Sequence, residues 1–299
     1  ISLIDVVGTM AILALGLTLL GQGVQFAVLL AAIAAATAPA ATFDVVNEYR
    51  AEGQLTDTLL GIVAIDDAWG LIAFSLVLAV IAGAANGDAG LTILGHGLWE
   101  VGGAVGLGAL LGVPAGLLSH RIAPGEPTLL EALGMVFLCA GVAGLLQVSF
   151  ILSTMVMGAT AASVGTHHER PFHEIEHIER PFLVLFFVLA GASLELHVLP
   201  TIGGIGAAYI LLRVLARLTS AWTGARVTGA APQVRRWLGL ALLPQAGVAL
   251  GMALMVKERL PELGATILPL VIGSTVVFEL FGPVATRFAL RRAGEARLD

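Results

Sequence analysis

The chain has 299 residues, of which 58% are hydrophobic and 12% are charged, with a formal net charge of −6. Soluble domains carry about 25% charged residues, so this composition excludes a soluble globular protein and predicts an all-α, polytopic membrane protein in a lipid bilayer. It does not favour nucleic acid as a partner. The single cysteine, Cys139, excludes an intrachain disulfide framework.

Apolar runs long enough to cross a bilayer recur along the whole chain. We predict ten membrane spans, near residues 3–21, 24–46, 56–83, 92–118, 128–146, 149–165, 178–197, 201–224, 236–256 and 264–288. If the first span starts in the cytoplasm, eleven arginines lie on the cytoplasmic side and only Lys257 and Arg259 on the other. This asymmetry follows the positive-inside rule. We therefore expect a plasma (bacterial inner) membrane protein with both chain termini in the cytoplasm.

Two spans contain a proline where a helix should be continuous. Pro39 interrupts the second span, and Pro244, followed by Gln245 and Gly247, interrupts the ninth. A proline removes a backbone donor, and freed carbonyls are tolerated in lipid only beside protein or a wet cavity. Each proline alone fits a simple kink. A matched pair of interrupted helices in opposite orientation instead indicates a transporter site between inverted repeats.

The third span carries two adjacent carboxylates, Asp66 and Asp67, near its middle. One Asp at the centre of a membrane helix costs about 2.5–3.5 kcal/mol, so the pair needs a partner, a wet cavity or a bound cation. Adjacent helical residues point about 100° apart, so one carboxylate can face a cavity while the other meets a neighbouring helix. A carboxylate that binds a cation when ionised and a proton when neutral can exchange the two ions. Two structural aspartates, satisfied by hydrogen bonds between helices, are the alternative.

The eighth span carries two basic residues, Arg213 and Arg217. Arg213 lies nearer the middle of the span and needs a carboxylate, so the simplest hypothesis is an ion pair with Asp66. The competing partners are Glu131 and Glu279. Arg217 is expected to reach the cytoplasmic interface by extending its long side chain.

Thr37 precedes the first proline break and is a candidate oxygen ligand for a dehydrated monovalent cation, together with carbonyls around Pro39. A threonine that bonds to its own helix is an equal alternative. The polar segment 166–180, predicted as a cytoplasmic interfacial loop, contains four histidines, namely His167, His168, His173 and His177. An ordinary loop is the first interpretation and a pH sensor the second. A metal site is the third, because two histidines at helical spacing do not complete one.

Five segments together resemble the monovalent cation/proton antiporter family, the sodium/proton exchanger-type transporters. They are residues 37–42, 48–53, 64–67, 181–191 and 242–251, and they follow the family's order. The resemblance implies an antiporter fold with inverted repeats, crossed and partly unwound helices, elevator-like alternating access and a homodimer. Within a single transmembrane domain, 1–299, the core helices would lie at about 24–83 and 236–288, and the others would form the scaffold.

The resemblance also implies roles for single residues. Asp67 matches the family's ion-binding carboxylate and Asp66 the acidic residue before it. Arg213 matches the basic position that contacts this carboxylate, and Thr37 the polar residue at the crossing. Family members commonly have thirteen spans, and the first span here looks like their fourth. We therefore expect about three N-terminal helices to be missing from this chain.

The predicted function is a secondary antiporter that exchanges Na+, K+ or Li+ for H+, with the monovalent cation bound at Asp67 and no cofactor. Members with an Asp-Asp pair often have lysine at the basic position, which can release its proton, whereas Arg213 cannot, so we expect electroneutral exchange. A ligand-gated potassium efflux system on the same fold is the alternative, but the chain up to Asp299 contains no nucleotide-sensing domain. An enzyme is not expected, because an intramembrane aspartyl protease would need its aspartates on two helices.

Overall fold

The computed structural model describes residues 1–85, 91–119, 129–165, 181, 184, 185, 188, 199–245 and 247–296, and every regular element in these ranges is a helix. The helices are α1 (Ser2–Leu19), α2 (Val24–Ala34), α3 (Pro39–Glu48), α4 (Gln54–Ala85), α5 (Leu91–Ser119), α6 (Leu129–Leu146), α7 (Phe150–Val164), α8 (Leu199–Val227), α9 (Pro232–Ala241), α10 (Gly247–Arg259) and α11 (Pro261–Ala293).

Seven helical stretches in the described ranges are long and apolar enough to cross a membrane, with Val24–Glu48 taken as one. The predicted all-helical class is confirmed for these residues. The span predicted at 149–165 is the shorter helix α7, Phe150–Val164. The span predicted at 178–197 lies largely outside the described residues, so the total of ten spans remains a prediction.

The chain forms two compact units. The first consists of Ile1–Val77 and Leu194–Asp299, and the second of Leu78–Ser193. In the first unit α1 packs against α2 and α8, α9 packs against α8 and α11, and α10 packs against α11. In the second unit α5, α6 and α7 pack against one another.

Both predicted interruptions are present. The first separates α2 from α3 over residues 35–38, and Pro39 begins α3, where its missing N–H is not needed. The second separates α9 from α10 and contains Pro244. Gly282 of α11 lies directly against this second break, because a Cβ at that position would come within 2.6 Å of the Pro244 Cα. A glycine there lets the helix approach the broken segment closely.

The N-terminus of α4 is capped from a distant part of the sequence. The carboxylate of Glu295 accepts hydrogen bonds from the backbone N–H groups of Leu55 and Thr56 at 2.8 and 2.7 Å, and from the Thr56 hydroxyl at 2.8 Å. Gly294 ends α11 in the left-handed region, with a φ of 78°, and so directs the following residue to this helix end. The cap satisfies orphan donors and places a negative charge at the positive end of the helix.

Candidate functional site

The two adjacent aspartates lie in the same turn of α4 but in different surroundings. The Asp66 side chain is completely buried, whereas Asp67 is partly accessible. Their directions differ because neighbouring helical residues diverge by about 100°. One carboxylate therefore faces other helices while its neighbour remains reachable, as the sequence predicts.

Asp66 is held by side chains from two other helices. Its Oδ2 accepts a hydrogen bond from Nη1 of Arg217 on α8 at 3.0 Å, and its Oδ1 accepts one from the Ser2 hydroxyl on α1 at 2.9 Å. The same guanidinium forms an ion pair with Asp5, also on α1. All three charged side chains are completely buried, so Arg217 joins two carboxylates from α1 and α4 to α8.

The predicted ion pair between Arg213 and Asp66 is wrong. Arg213 is buried, but its described donors go to three main-chain carbonyls. These are Nε to Ala34 at 3.1 Å, Nη2 to Ala36 at 3.1 Å and Nη1 to Leu243 at 2.9 Å. The guanidinium also lies 4.1 Å from the centre of the Phe278 ring. Arg213 thus satisfies carbonyls that the two helix interruptions leave without helical partners, because its planar fork presents donors in several directions.

The predicted position of Arg217 at the cytoplasmic interface is also wrong. Its side chain is completely buried, and it donates to the Ala35 carbonyl in the first break as well as to the two carboxylates. Two buried carboxylates and a free carbonyl provide a better environment for the guanidinium than an extended path to water would. Asp66 therefore pairs with Arg217 and not with Arg213, the arginine nearer the middle of the predicted span.

Asp67 lies beside the first break. Its Oδ1 accepts a hydrogen bond from the Thr37 backbone N–H at 3.3 Å. The Thr37 hydroxyl is buried and has no hydrogen-bond partner among the described residues. The alternative in which this threonine bonds back to its own helix is therefore not observed. An unsatisfied hydroxyl oxygen close to a partly accessible carboxylate is suited to a cation that prefers oxygen ligands.

The two breaks contact each other through Gln245. Its Nε2 donates to the Ile33 carbonyl at the end of α2 at 3.3 Å, and its Oε1 is buried without a described partner. Arg213 makes the second connection, since it binds carbonyls of both broken segments. The broken segments beside Pro39 and Pro244 therefore contact each other through these two side chains. Gly247 begins α10 directly after the second break.

The predicted histidines cannot be placed relative to this site. His167, His168, His173 and His177 lie outside the described residues, and so does the whole loop 166–180. Within the described ranges no group of three or more His, Cys, Asp or Glu residues is arranged to hold a metal ion.

Sequence reasoning missed Asp5 and Ser2. A signal was available for Asp5, because it is a carboxylate inside an apolar span and therefore needs a partner in the membrane. Ser2 gave no such signal, since a serine near the start of a helix is common. Both residues become part of the site because α1 packs against α8, which carries Arg217.

Buried, paired charges next to two interrupted membrane helices define a membrane transporter for ions. The chain belongs to the sodium/hydrogen exchanger family, since the family model "Sodium/hydrogen exchanger, transmembrane" matches residues 1–292. This is a family of transporters, not enzymes, and its members are antiporters of the membrane. The predicted family is thereby confirmed.

A solved structure shows the same fold. The sodium proton antiporter MjNhaP1 from Methanocaldococcus jannaschii, determined at pH 8, matches 97% of this chain and 74% of its own chain. The TM-score is 0.72 and the sequence identity 19%. The antiporter fold predicted from the sequence is therefore confirmed. No curated protein matches this chain significantly.

Proposed function

We propose that the protein exchanges one monovalent cation (Na+, K+ or Li+) for one H+, and that the two ions compete for Asp67. The observation that carries this proposal is the difference between the two aspartates in burial and in hydrogen-bond partners. Asp66 is completely buried between the Arg217 guanidinium and the Ser2 hydroxyl. Asp67 is partly accessible and receives one described hydrogen bond, from the Thr37 N–H. The carboxylate with free oxygen lone pairs is the one that can exchange ligands.

The charges around the site support a stoichiometry of one to one. Asp5 and Asp66 contribute two negative charges, and Arg213 and Arg217 contribute two positive charges, all of them buried. These four charges cancel, and arginine does not release its proton at physiological pH. Asp67 is then the remaining charge, and one proton or one monovalent cation neutralises it. A potassium efflux channel, the alternative, does not require a cation and a proton to compete for one carboxylate.

The cation would take its other ligands from the break beside Asp67. The Thr37 hydroxyl is buried and lacks a described hydrogen-bond partner. Oxygen atoms are suitable ligands for hard cations, and irregular backbone at membrane depth exposes carbonyls that a helix would occupy. No cofactor takes part in this scheme.

The deciding experiment is ion exchange in proteoliposomes, followed with a pH-sensitive dye after addition of Na+, K+ or Li+. Asp67→Asn is expected to abolish the cation-dependent dye response. Asp57→Asn is the matched control, because Asp57 is an exposed residue in the first turn of the same helix. Wild-type activity in Asp67→Asn would contradict the proposal. Potassium flux without counterflow of protons would favour the channel alternative.

We propose elevator-like alternating access for the movement of the site, with core helices at about 24–83 and 236–288, in a plasma-membrane homodimer. Ala68→Cys in a Cys139→Ala background tests the movement, because Ala68 is a partly exposed neighbour of Asp67 and both aspartates stay in place. Under opposite ion gradients, a membrane-impermeant thiol reagent should label the new cysteine from each side of the membrane. Labelling from one side under all gradients would contradict alternating access. Light scattering of the detergent-solubilised protein tests the dimer, and a monomer mass would contradict it.

A further inference from the structure

Arginine side chains concentrate at one end of the first compact unit. The helix ends there share a hydrophobic cluster that includes Leu55, Ala225, Val234 and Leu290, with Tyr49 packed against it. This cluster joins the end of α3, the start of α4, the end of α8, the start of α9 and the end of α11. The arginines placed on these helix ends are Arg50, Arg226, Arg235, Arg236, Arg287, Arg291 and Arg292.

Four side chains at this end form a continuous arginine–aromatic stack, which consists of Arg236, Trp237, Phe288 and Arg292. The rings of Trp237 on α9 and Phe288 on α11 meet edge to face, with centroids 5.8 Å apart and an interplanar angle of 78°. Arg236 lies 5.2 Å from the Trp237 ring, and Arg292 lies 5.2 Å from the Phe288 ring. Each ring of an aromatic pair that joins two helices is thus in contact with one guanidinium.

The stack is accessible from outside the protein. Phe288 is 45% exposed, and both Arg236 and Arg292 are exposed. The described contacts of these two guanidiniums are with aromatic rings, which leave the in-plane N–H donors available. Neighbouring arginines differ in this respect, because Arg235 donates to the Ala230 carbonyl at 2.6 Å and Arg287 to the Tyr49 hydroxyl at 3.1 Å.

We propose that the arginine–aromatic stack binds the phosphate headgroup of an anionic phospholipid from the surrounding bilayer. Guanidinium groups bind phosphate through two parallel hydrogen bonds, and Trp is enriched at the level of the lipid headgroups. Basic pockets between membrane helices bind anionic headgroups for the same reasons. The exposed ring of Phe288 lies on α11, a membrane-spanning candidate, and so continues into the apolar surface that acyl chains would cover.

A bound headgroup would lie at the junction of α9 and α11. Arg236 belongs to α9, the helical segment before the second break, and Arg292 belongs to the last turn of α11. Phosphate oxygens bound by these guanidiniums would offset the positive charge at the junction of the two helices. The site is therefore a stabilising lipid site that is separate from Asp67.

The test is native mass spectrometry of the purified full chain, titrated with phosphatidylglycerol, with phosphatidylcholine as the neutral lipid. Arg236→Gln/Arg292→Gln removes both charges and keeps the aromatic pair. We expect its affinity for phosphatidylglycerol to fall about thirtyfold, from the contribution that each basic residue makes near an anionic lipid. Binding of phosphatidylcholine should not change.

Arg50→Gln/Arg226→Gln is the matched control, because it removes the same charge from the same end of the unit. Arg226 lies singly over the Trp222 ring at 5.0 Å, without a second guanidinium on an aromatic pair. An equal loss of phosphatidylglycerol binding in both double variants would overturn the proposal in favour of general surface electrostatics. Binding of glycerol phosphate as tight as that of phosphatidylglycerol would overturn the assignment to a bilayer lipid.

A further measurement distinguishes stabilisation by bound lipid from stabilisation by contacts within the protein. If Arg236→Gln/Arg292→Gln lowers the melting temperature equally in phosphatidylcholine and in phosphatidylglycerol, the two arginines act only through contacts within the protein, and the proposal is overturned. A smaller gain in melting temperature from phosphatidylglycerol than the wild type shows supports the proposal. Binding is measured without ion flux, so a failure of the exchange assay leaves this test unaffected.

Discussion

Arg217 on α8 and Asp66 on α4 form a buried ion pair, with Nη1 and Oδ2 at 3.0 Å. The same guanidinium also pairs with Asp5 on α1. The Arg217 side chain thus connects three helices of the first compact unit, namely α1, α4 and α8. Asp67 lies outside this ion pair and is the carboxylate that we propose exchanges ligands. Mutations at these charged positions should therefore have different effects.

The first prediction concerns the loss of Arg217. Arg217→Gln leaves two buried carboxylates without their cation, and breaking a buried ion pair costs about 3–5 kcal/mol. We expect a large decrease in the melting temperature of the detergent-solubilised protein. Adding Asp5→Asn to Arg217→Gln removes one of the two uncompensated charges, so the double variant should be more stable than Arg217→Gln alone. A double variant that is less stable than both single variants would contradict a shared ion pair.

The second prediction separates the two aspartates. Asp66→Asn keeps a side-chain oxygen that can accept from either Ser2 or Arg217, and Arg217 keeps Asp5. We expect this variant to retain cation-dependent proton exchange in proteoliposomes, at reduced stability, whereas Asp67→Asn loses it. If Asp66→Asn abolishes exchange while the protein remains folded by circular dichroism, Asp66 carries ions itself and the division of roles is wrong.

The third prediction concerns charge movement. Because the buried charges of Asp5, Asp66, Arg213 and Arg217 cancel, each exchange should move one positive charge in each direction. We expect no ion-driven transport current from the purified protein on a solid-supported membrane, under conditions in which the pH-dye assay reports exchange. A current that reverses with the imposed cation gradient would show that a second proton is carried.

The fourth prediction concerns the cap on the helix that carries the site. Glu295→Gln removes the negative charge from the N-terminus of α4 and one acceptor for its backbone N–H groups. The loss of such a cap costs about 1 kcal/mol, which lowers the melting temperature by a few degrees. Glu258→Gln is the control, because Glu258 is an exposed residue near the end of α10. Equal melting temperatures of Glu295→Gln and the wild type would show that the cap does not contribute to stability.

Much of the helical layout could be predicted from the chain. Hydropathy placed helices at the observed positions in the described residues, because a segment that crosses lipid must be apolar and must satisfy its own backbone hydrogen bonds. Pro39 and Pro244 gave both breaks, because proline cannot donate within a helix. Asp66 and Asp67 identified the site helix, because carboxylates in lipid are too costly to be incidental.

The pairing of charges could not be predicted in the same way. Arg213 and Arg217 are four residues apart on one helix, so they share a face and look equivalent in the sequence. Their partners are set by how far α1 and the first break extend along α8. Gly8 on α1 lies so close to α8 that a Cβ would come within 2.6 Å of the Ser220 hydroxyl. This close approach brings Asp5 to Arg217, and Arg213 is left with the carbonyls of the breaks.

The sequence by itself determined that this protein is an all-helical membrane transporter with two aspartates at its centre and two interrupted helices beside them. Those features follow from the cost of charge and of unpaired backbone in lipid, which acts locally along the chain. Only the tertiary structure decided that Arg217 binds Asp66 and Asp5, that Arg213 binds the broken segments, and that Glu295 caps α4. These contacts join residues far apart in the sequence, so they depend on helix packing, which no local pattern specifies.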